Sequence, residues 1–435
     1  MSILIKNGRV VNPATKADEV MDILIEGERI EKIAANINFS TAQLIDASEK
    51  VVVPGLIDMH THLREPGRED EETIQTGTYA AARGGFTTIC CMPNTNPAID
   101  EPSLVEFVLK EAQRSGIVEV LPIAAISENR EGKDLSQMGR LKGAGAVAFS
   151  DDGDWVVSSH LMRRALEYVK MLNVPIISHC EDKSLNQDGV MNEGYFSTIL
   201  GLKGMPAEGE EIAVFRDLLL AKMTGSYVHI AHVSTANSVR LIKEAKKAGI
   251  RVTAEVTPHH FTLTDEEVTS FNTNTKMNPP LRSKKDVEAL KQGLKNNIID
   301  VIATDHAPHT FEEKEKEYNF APFGAIGLET ALGLAIKELV KKNVISLMET
   351  IAKLTINPAR ILGIDRGEIK EGKKANLTIF DLEKIWEVKE EEFLSKSTNS
   401  PFLGWHLPAR IEYTIVGGRV VYPVRKKAPS VRADL

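Results

Sequence analysis

Short apolar runs alternate with longer amphipathic segments through most of this chain. The runs have the length of β-strands, and in order they are VVVPGLIDMHTH, FTTICCM, VEVLPIAAI, GAVAFS, VPIISH, YVHIAH, RVTAEVT and DVIATD. The segments between them place apolar residues at helical spacing, as in SLVEFVLKEAQRSG, HLMRRALEYVKMLN, EEIAVFRDLLLAKM, ANSVRLIKEAKKAG and SKKDVEALKQGLKN. Eight strand–helix units in series predict an α/β fold of the (β/α)8, TIM-like barrel type. We expect the barrel to span residues 53–362.

Both ends of the chain have a different pattern. Residues 1–52 contain ILIKNGRVVN and DILIEGERIEKIA, in which β-branched runs are broken by Asn-Gly and Glu-Gly turn signals. Residues 363–435 contain ANLTIFDLE and IEYTIVGGRVVYP, which have the same character. Because chain termini often lie close together, the two ends predict one small β-sandwich domain built from both termini.

Composition narrows the expected partners. The chain has 435 residues, 42% of them hydrophobic, which suits a large α/β domain with a smaller companion. Its net charge is −8 and it lacks a dense Lys/Arg block, so we expect no nucleic-acid partner. No stretch approaches the roughly 20 apolar residues that span a bilayer, and MSILIKNGRV lacks the apolar core of a signal peptide. We therefore predict a cytoplasmic protein that does not engage a membrane.

Metal-ligating residue types recur where the predicted barrel strands end. His60 and His62 end the first run, and because alternate strand residues point to one face, they share a direction. Further donors follow four later runs: Asp151 and Asp152 after GAVAFS, His179 in VPIISH, His232 in YVHIAH and Asp305 in DVIATD. The carboxyl ends of barrel strands meet at one mouth. Four imidazoles and two carboxylates exceed the ligands of one tetrahedral zinc ion and favour two metal ions that share a ligand.

Each donor also has a simpler interpretation. A single histidine at a strand end is more often a hydrogen-bonded structural residue, so the metal prediction depends on recurrence across five strands. The pattern alone does not choose between Asp151 and Asp152, although neighbouring strand residues face opposite sides. Cys180 follows His179 and is expected to face the core for the same reason. The three cysteines, two of them adjacent, predict free thiols rather than disulfides.

Nine motifs, in order along nearly the whole chain, closely resemble those of bacterial class I dihydroorotases in the amidohydrolase superfamily. They are DMHTHLREPG, GGFTTICCMPNTNP, FSDDG, SHCED, HIAHVST, AEVTPHH, KMNPPLR, ATDHAPH and PFGAIGLET. The resemblance implies a zinc-dependent enzyme that reversibly closes N-carbamoyl-L-aspartate to (S)-dihydroorotate in pyrimidine biosynthesis. It also implies the fold predicted above.

The resemblance implies a ligand set for two zinc ions. One ion would be surrounded by His60, His62, Asp152 and Asp305, and the other by Asp152, His179 and His232, so that Asp152 is shared. Hydantoinases of the same superfamily use a carbamylated lysine as this bridge, whereas Ser-Asp-Asp-Gly stands here. That difference favours a dihydroorotase. Asp305 is the expected catalytic residue, which takes a proton from the attacking hydroxide and returns it to the ring nitrogen.

Substrate-binding residues are implied in the same way. Arg64, Asn94 and His309 would bind the exocyclic carboxylate through a guanidinium, an amide and an imidazole. A salt bridge from Arg64 to Glu65 or Glu69 is the simpler alternative. Asn278 and the backbone of Phe323 and Gly324 would recognise the amide edges of the ring, and His62 is counted with the substrate residues as well as with the ligands.

Two other functions stay open at this point. One is a hydantoinase-like or allantoinase-like cyclic amidohydrolase, and the other is an inactive homologue that acts as a scaffold in a pyrimidine-pathway complex. The resemblance further implies a homo-oligomer, a dimer, with aspartate carbamoyltransferase as a candidate partner. The charged residues 310–320, TFEEKEKEYNF, are expected to form a solvated loop near the mouth that could help to cover it.

Overall fold

Two large sheets form the framework of the molecule, and the computed structural model describes residues 2–40 and 42–424. The strands in chain order are β1 (Ser2–Asn12), β2 (Ala17–Glu26), β3 (Arg29–Ala34), β4 (Gln43–Asp46), β5 (Val51–Pro54), β6 (Leu56–Thr61), β7 (Phe86–Cys91), β8 (Glu119–Ala124), β9 (Ala148–Phe149), β10 (Ile176–Ser178), β11 (Met191–Asn192), β12 (Gly204–Met205), β13 (Val228–Ile230), β14 (Val252–Val256), β15 (Val301–Ile302), β16 (Leu377–Asp381), β17 (Trp386–Glu387), β18 (His406–Leu407), β19 (Arg410–Val416) and β20 (Arg419–Tyr422).

The helices in chain order are α1 (Ile74–Arg83), α2 (Pro102–Ser115), α3 (Met138–Ala144), α4 (Ser159–Leu172), α5 (Lys183–Asn186), α6 (Tyr195–Leu200), α7 (Glu208–Thr224), α8 (Ala236–Lys247), α9 (Pro258–Thr262), α10 (Lys284–Lys295), α11 (Phe311–Lys314), α12 (Ala331–Ala335), α13 (Leu347–Leu354) and α14 (Ile356–Leu362). No helix in the described part of the chain combines the length and apolar character needed to cross a membrane.

The eight apolar runs form the barrel that their pattern predicts. Strands β6, β7, β8, β9, β10, β13, β14 and β15 are hydrogen-bonded in this order, and all neighbours run parallel. The two outer strands meet where Thr61 pairs with His306 and the His62 N–H donates to His306 O at 2.9 Å. Since helices cover the outside and side chains fill the inside, these strands are buried on both faces. The predicted TIM-like fold is confirmed.

The predicted amphipathic segments form the outer helices. Helix α4 is typical: the Ser158 side chain accepts a hydrogen bond from the Leu161 N–H at its start, and Asn173 ends it in the left-handed conformation. Its apolar face, which includes Leu166 and Val169, joins the large core between the strands and the helices. Amphipathic spacing and capping residues together therefore fix these helices in place.

A separate mixed sheet comes from both ends of the chain. Its strand order is β20-β19-β16-β5-β1-β2-β3, and β4 pairs with β1. Isoleucine and valine side chains of both termini share its core, among them Ile5, Ile23, Val52, Ile379 and Ile415. The expected sheet-rich region from both termini is confirmed.

The first apolar run, VVVPGLIDMHTH, divides at Gly55 between the two sheets. Strand β5 pairs with β1 and β16, whereas β6 begins the barrel beside β7. A Cβ atom at Gly55 would collide with the Thr87 side chain, so a glycine is needed where β7 passes. The chain therefore enters the barrel at Gly55, two residues beyond the boundary expected from the pattern.

Part of the C-terminal segment returns to the barrel. Strands β17 and β18 pair antiparallel, and Val388, Phe402 and Leu407 pack with Leu263 and Met277 from the loops at the barrel mouth. Strand character alone, which grouped residues 363–435 with the terminal sheet, does not anticipate this packing. Residues 425–435 of that group lie outside the described residues.

Candidate active site

The predicted metal ligands converge at the carboxyl ends of the barrel strands. His60 lies in β6 and His62 directly follows it, while the others lie one to three residues beyond their strands: Asp152 after β9, His179 after β10, His232 after β13 and Asp305 after β15. Five of the six are buried and Asp305 is partly buried. The rule that barrel strand ends meet at one mouth therefore brings all six together.

Asp152 lies among the imidazoles. Its Oδ1 is 3.2 Å from His60 Nε2 and 3.6 Å from His179 Nδ1. The same oxygen is 3.7 Å from His232 Nε2, and Oδ2 is 3.5 Å from His62 Nε2. One carboxylate thus faces four histidines that come from three different strands, β6, β10 and β13.

Asp151 has a different environment. Its Oδ1 accepts hydrogen bonds from the backbone N–H groups of Ile126 at 2.8 Å and Ser127 at 3.1 Å. The side chain therefore ties the end of β9 to the loop after β8. The structure places Asp152, not Asp151, among the histidines.

Asp305 completes a second group of donors. Its Oδ1 is 3.0 Å from His62 Nε2 and 3.5 Å from His60 Nε2. Two sets of ligand atoms in this cluster could hold a metal ion, because the atoms of each set lie within 4.8 Å of one another: His60, His62 and Asp305, and His60, Asp152 and His232. Outside the cluster, Glu71, His309 and Glu313 form a third such set. His179 Nδ1 lies 2.9 Å from His232 Nε2, beside the second set.

The hydrogen bonds of the histidines leave nitrogen lone pairs facing this centre. His60 Nδ1 is 2.6 Å from Glu255 Oε1, and His179 Nε2 is 3.1 Å from Glu181 Oε2. A carboxylate only accepts hydrogen bonds, so in each ring the nitrogen beside the glutamate carries the proton. The other ring nitrogen keeps its lone pair. His62 Nδ1 similarly lies 2.8 Å from the Asn94 amide oxygen.

Two buried atoms support a cation at this place. In the described part of the chain, His60 Nε2 and Asp152 Oδ1 have no hydrogen-bond partner although both are buried. Buried polar atoms are costly unless they are paired or bind a metal. Imidazole nitrogens and carboxylate oxygens are zinc ligands, so these donors fit the predicted metal.

Charges in the cluster keep the carboxylates ionised. Burial opposes the charge of Asp305, but the neighbouring imidazoles of His60 and His62 outweigh this effect and hold its pKa below the usual value. Burial likewise opposes the charge of Glu255, and the imidazoles of His60 and His229 lower its pKa to about 2. Both carboxylates are therefore ionised at neutral pH.

The residues predicted to bind substrate line one cavity with the metal-ligand candidates. The cavity has a volume of ≈ 530 Å³, which suits a small ring. Its lining includes His62, Arg64, Asn94, Asp152, His179, His232, Asn278, Asp305, His309, Phe323 and Gly324. Of the predicted site residues, only His60 lies behind this lining, where it contacts Asp152 and Asp305.

Three of the residues that line the cavity have an uncommon backbone conformation. Gly324 has a φ of 117°, and a Cβ atom there would lie 2.6 Å from the Ala307 Cβ. Glycine therefore lets its backbone approach the site closely. Arg64 and Asp305 have positive φ values of 60° and 49°. Such values are uncommon for residues other than glycine and are found more often at functional sites.

Arg64 does not form the local salt bridge considered as its alternative. Its Nε lies 3.0 Å from Glu71 Oε2 rather than beside Glu65 or Glu69, and its Nη2 lies 3.4 Å from His309 Nε2. His309 Nε2 also lies 2.7 Å from the Phe323 carbonyl oxygen. Arg64 and His309 thus form one polar wall of the cavity.

The structure adds three buried glutamates that the sequence did not single out. Glu255 contacts His60, Glu181 contacts His179 and Asn278, and Glu71 contacts Arg64. A weak signal existed for Glu255, which is the lone acid inside the apolar run RVTAEVT. Glu181 and Glu71 lie in loops, where an acidic residue is unremarkable without its partner.

Two other expectations concern the surroundings of the site. Cys90, Cys91 and Cys180 are free and buried, as predicted, and Cys180 Sγ points to Ser178 and Asp217 instead of the metal ligands. Residues 310–320 are not simply a solvated loop. They contain helix α11 and the buried Lys314, whose Nζ donates to the carbonyl oxygens of Pro322 and Gly324.

Known proteins resemble this chain over nearly its full length. Residues 49–238 match the family model described as Dihydro-orotase-like, and residues 220–422 match the model of the Amidohydrolase family. A dihydroorotase of Pelotomaculum thermopropionicum is 56% identical over 97% of this chain and 98% of that protein. One of Endomicrobium trichonymphae is 52% identical over 98% of this chain and its own whole length.

Solved structures support the same fold. The L-hydantoinase of Arthrobacter aurescens superposes with a TM-score of 0.87 at 27% identity and covers 96% of this chain and 95% of that chain. The dihydropyrimidinase of Brevibacillus agri has a TM-score of 0.84 at 23% identity and covers 97% and 95%. The full-length relatives, at much higher identity, confirm the resemblance seen in the motifs. This chain therefore belongs to the dihydroorotase family of cyclic amidohydrolases.

Proposed function

We propose that this enzyme interconverts N-carbamoyl-L-aspartate and (S)-dihydroorotate in the cavity that holds the histidine–aspartate cluster. The observation that carries the proposal is the arrangement of that cavity: Arg64 and His309 form a polar wall, and Asn94 connects it to the cluster through its contact with His62. A ring with one reactive amide and one exocyclic carboxylate complements both parts.

We propose two zinc ions per chain. His60, His62, Asp152 and Asp305 would hold one, and Asp152, His179 and His232 would hold the other. The free nitrogen lone pairs and the unpartnered Asp152 Oδ1 support this assignment. Zinc bound there supplies Lewis acidity, which lowers the pKa of water and withdraws electrons from a carbonyl.

Asp305 is the proposed proton carrier. Its low pKa keeps it ionised before reaction, and its contact with His62 fixes its carboxylate at the edge of the cavity. During ring opening it accepts the proton released by the attacking water and delivers it to the departing ring nitrogen. In ring closure the same carboxylate removes the proton from the carbamoyl nitrogen as that nitrogen attacks the carboxyl carbon. It then returns this proton to the carboxyl oxygen, which leaves as water when the C–O bond breaks.

The polar wall is proposed to select the substrate. The free edge of the Arg64 guanidinium can pair with both carboxylate oxygens, and His309 and Asn94 add further polar contacts. Asn278 and the backbone at Phe323 and Gly324 are placed to recognise the amide groups of the ring. Holding the exocyclic carboxylate in this way would orient the reacting amide toward the cluster.

Substitution of Arg64 tests this function. We expect Arg64→Gln to raise the KM for dihydroorotate by about tenfold or more, because a charge-assisted bidentate pair is lost, while the metal content stays unchanged. Arg163→Gln is the matched control, since Arg163 is exposed on helix α4 and pairs with Glu167 of the same helix. An unchanged KM in the Arg64 variant would remove Arg64 from the substrate site.

We also propose a homodimer, with aspartate carbamoyltransferase as a further partner. An exposed apolar stripe on helix α7, formed by Ile212, Phe215, Leu219 and Met223, supports association with another protein surface. Sedimentation velocity of the purified enzyme alone tests the dimer. A monomer at micromolar concentration would contradict it.

A further inference from the structure

A buried carboxylate connects the two charged side chains of the polar wall from behind. Glu71 is 2% exposed and lies outside the cavity lining. Its Oε2 is 3.0 Å from Arg64 Nε, and its Oε1 is 2.8 Å from His309 Nδ1. Arg64 and His309 are 245 residues apart and come from the loops after the first and last barrel strands. Glu71 therefore joins two loops that only the closed barrel brings together.

These contacts decide which atoms remain for a ligand. Arg64 directs its Nε edge toward Glu71 and the Pro308 carbonyl oxygen, so its terminal nitrogens face the cavity. His309 Nδ1 donates a hydrogen bond to Glu71 Oε1, and its Nε2 lies on the opposite edge of the ring, 2.7 Å from the Phe323 carbonyl oxygen at the cavity. Each side chain thus presents its ligand-binding edge because Glu71 occupies the opposite edge.

Only a carboxylate can serve both partners. Arg64 Nε and His309 Nδ1 both donate, so both need an acceptor, and the two carboxylate oxygens provide one each. A glutamine at this position would offer one acceptor oxygen and one amino group, which would face one of the two donors. The substitution would preserve the shape of the side chain, but one of its two contacts would place two donors against each other and become repulsive.

The backbone of Glu71 is itself fixed. The Ser397 Oγ donates to the Glu71 carbonyl oxygen at 2.7 Å, and the Glu71 N–H donates to Arg68 O at 2.9 Å. Glu313 is the other carboxylate near His309, but its Oε2 is 3.7 Å from Nδ1, and it is 24% exposed and paired with Arg68. Glu71 is therefore the residue placed to orient the wall.

We propose that Glu71 is a positioning residue that sets the substrate affinity of this enzyme by orienting Arg64 and His309 toward the exocyclic carboxylate. The inference rests on the proposed function, which assigns that carboxylate to Arg64 and His309. Glu71 itself does not touch the substrate.

Steady-state kinetics of the metal-loaded Glu71→Gln enzyme test the proposal. We expect the KM for dihydroorotate to rise by about tenfold or more, as for loss of a charge-assisted contact, with kcat within about threefold of wild type and unchanged metal content. A merely structural role would instead lower kcat, metal content and thermal stability together, and that result would overturn the proposal. Glu313→Gln, the matched control, should leave the KM unchanged.

A second variant keeps the test decisive if the first one folds poorly. Glu71→Asp retains the charge but withdraws the carboxylate by one methylene group, so it cannot reach both partners. It should also raise the KM. A wild-type KM in a folded variant of either kind contradicts the role of Glu71.

The double variant separates this inference from the proposed function. If Glu71 acts through Arg64, the enzyme that carries both Arg64→Gln and Glu71→Gln should show a smaller increase in KM than the product of the two fold increases seen in the single variants. A full product would contradict the inference. If the wild-type enzyme opens dihydroorotate and Arg64→Gln leaves the KM unchanged, the assignment of the exocyclic carboxylate to Arg64 is refuted instead. That conclusion does not depend on the result for Glu71→Gln.

Discussion

At the residue scale, three of the four histidines of the cluster are oriented by an oxygen on their far side. Glu255 fixes His60, Glu181 fixes His179, and the Asn94 amide fixes His62. Because each such contact places the ring proton away from the centre, the facing nitrogens are prepared as ligands before any metal arrives. Glu71 applies the same principle to Arg64 and His309.

The role of Asp305 can be separated from metal binding. We expect Asp305→Asn to abolish turnover, because an amide cannot accept and return the proton, while most of the zinc stays bound through the remaining donors. Metal analysis and the rate of dihydroorotate opening, measured on the same preparation, check this. Near-normal turnover with full metal occupancy would reject Asp305 as the proton carrier.

Asp152→Ala provides the contrast. Because Asp152 faces four histidines, its loss should reduce the metal content as well as the activity. Asp151→Ala should instead act mainly on folding stability, since Asp151 accepts backbone hydrogen bonds.

The sequence predicts the donors of this site better than their supports. His60, His179 and His232 follow apolar strands, so local pattern and the geometry of a barrel suffice to bring them together. The choice between Asp151 and Asp152 needs the path of the chain beyond β9. Glu255 supports His60 from 195 residues away, and such a distant pairing leaves no local pattern.

At the scale of elements, the C-terminal segment that returns to the barrel also builds the site. Asn399 donates to the carbonyl oxygens of Ala307 and Gly324 at 3.0 and 3.2 Å, and it accepts from the His309 N–H at 3.2 Å. One buried amide thereby joins the loop after β15 to the backbone around Phe323. The loops that shape the cavity therefore depend on a segment that lies 90 residues further along the chain.

We expect Asn399→Ala to lower the free energy of unfolding by about 1–3 kcal/mol, because three buried backbone groups lose their partner. It should also raise the KM for dihydroorotate, since His309 and Gly324 lose a common support. Chemical denaturation and steady-state kinetics measure the two effects. Thr398→Ala is the control, because the Thr398 hydroxyl donates to the exposed Glu390 side chain. Equal effects in both variants would contradict this account.

The elements themselves follow the sequence pattern closely, apart from two features. The run around Gly55 has uniform apolar character although it serves two sheets, because burial in either sheet requires the same residue types. Strands β17 and β18 have two residues each, too short to produce a period. Both features depend on tertiary packing rather than on local preference.

At the scale of the whole molecule, burial of charged groups couples stability to pH. Lys353 is 1% exposed, and its Nζ donates to Ile299 O and to the Asn297 side chain. Burial lowers its pKa from 10.5 to about 8. Between these two values the unfolded chain binds more protons than the folded one, so the contribution of Lys353 to stability rises with pH in that window and stays at its minimum below it.

The difference in unfolding free energy between wild type and Lys353→Met should therefore grow in favour of wild type from pH 8 to pH 10.5, by up to about 3 kcal/mol. Denaturant titrations at several pH values measure it. Lys110→Met, at an exposed position, should give a constant difference. Parallel pH curves for wild type and Lys353→Met would show that this lysine keeps its ordinary pKa.

The whole molecule shares its fold with hydantoinases, so the fold alone does not specify the ring on which it acts. We propose that the distinction lies in Asp152, at the position where the resemblance places a carbamylated lysine in hydantoinases, and in the wall formed by Arg64 and His309. The central claim is that this wall and this cluster together make a dihydroorotase.

The most direct test is to assay the purified, zinc-loaded protein with dihydroorotate, hydantoin and allantoin side by side. We predict ring opening of dihydroorotate, with hydantoin and allantoin turned over far more slowly because they lack its exocyclic carboxylate at the matching position. Efficient opening of hydantoin without activity on dihydroorotate would contradict the account.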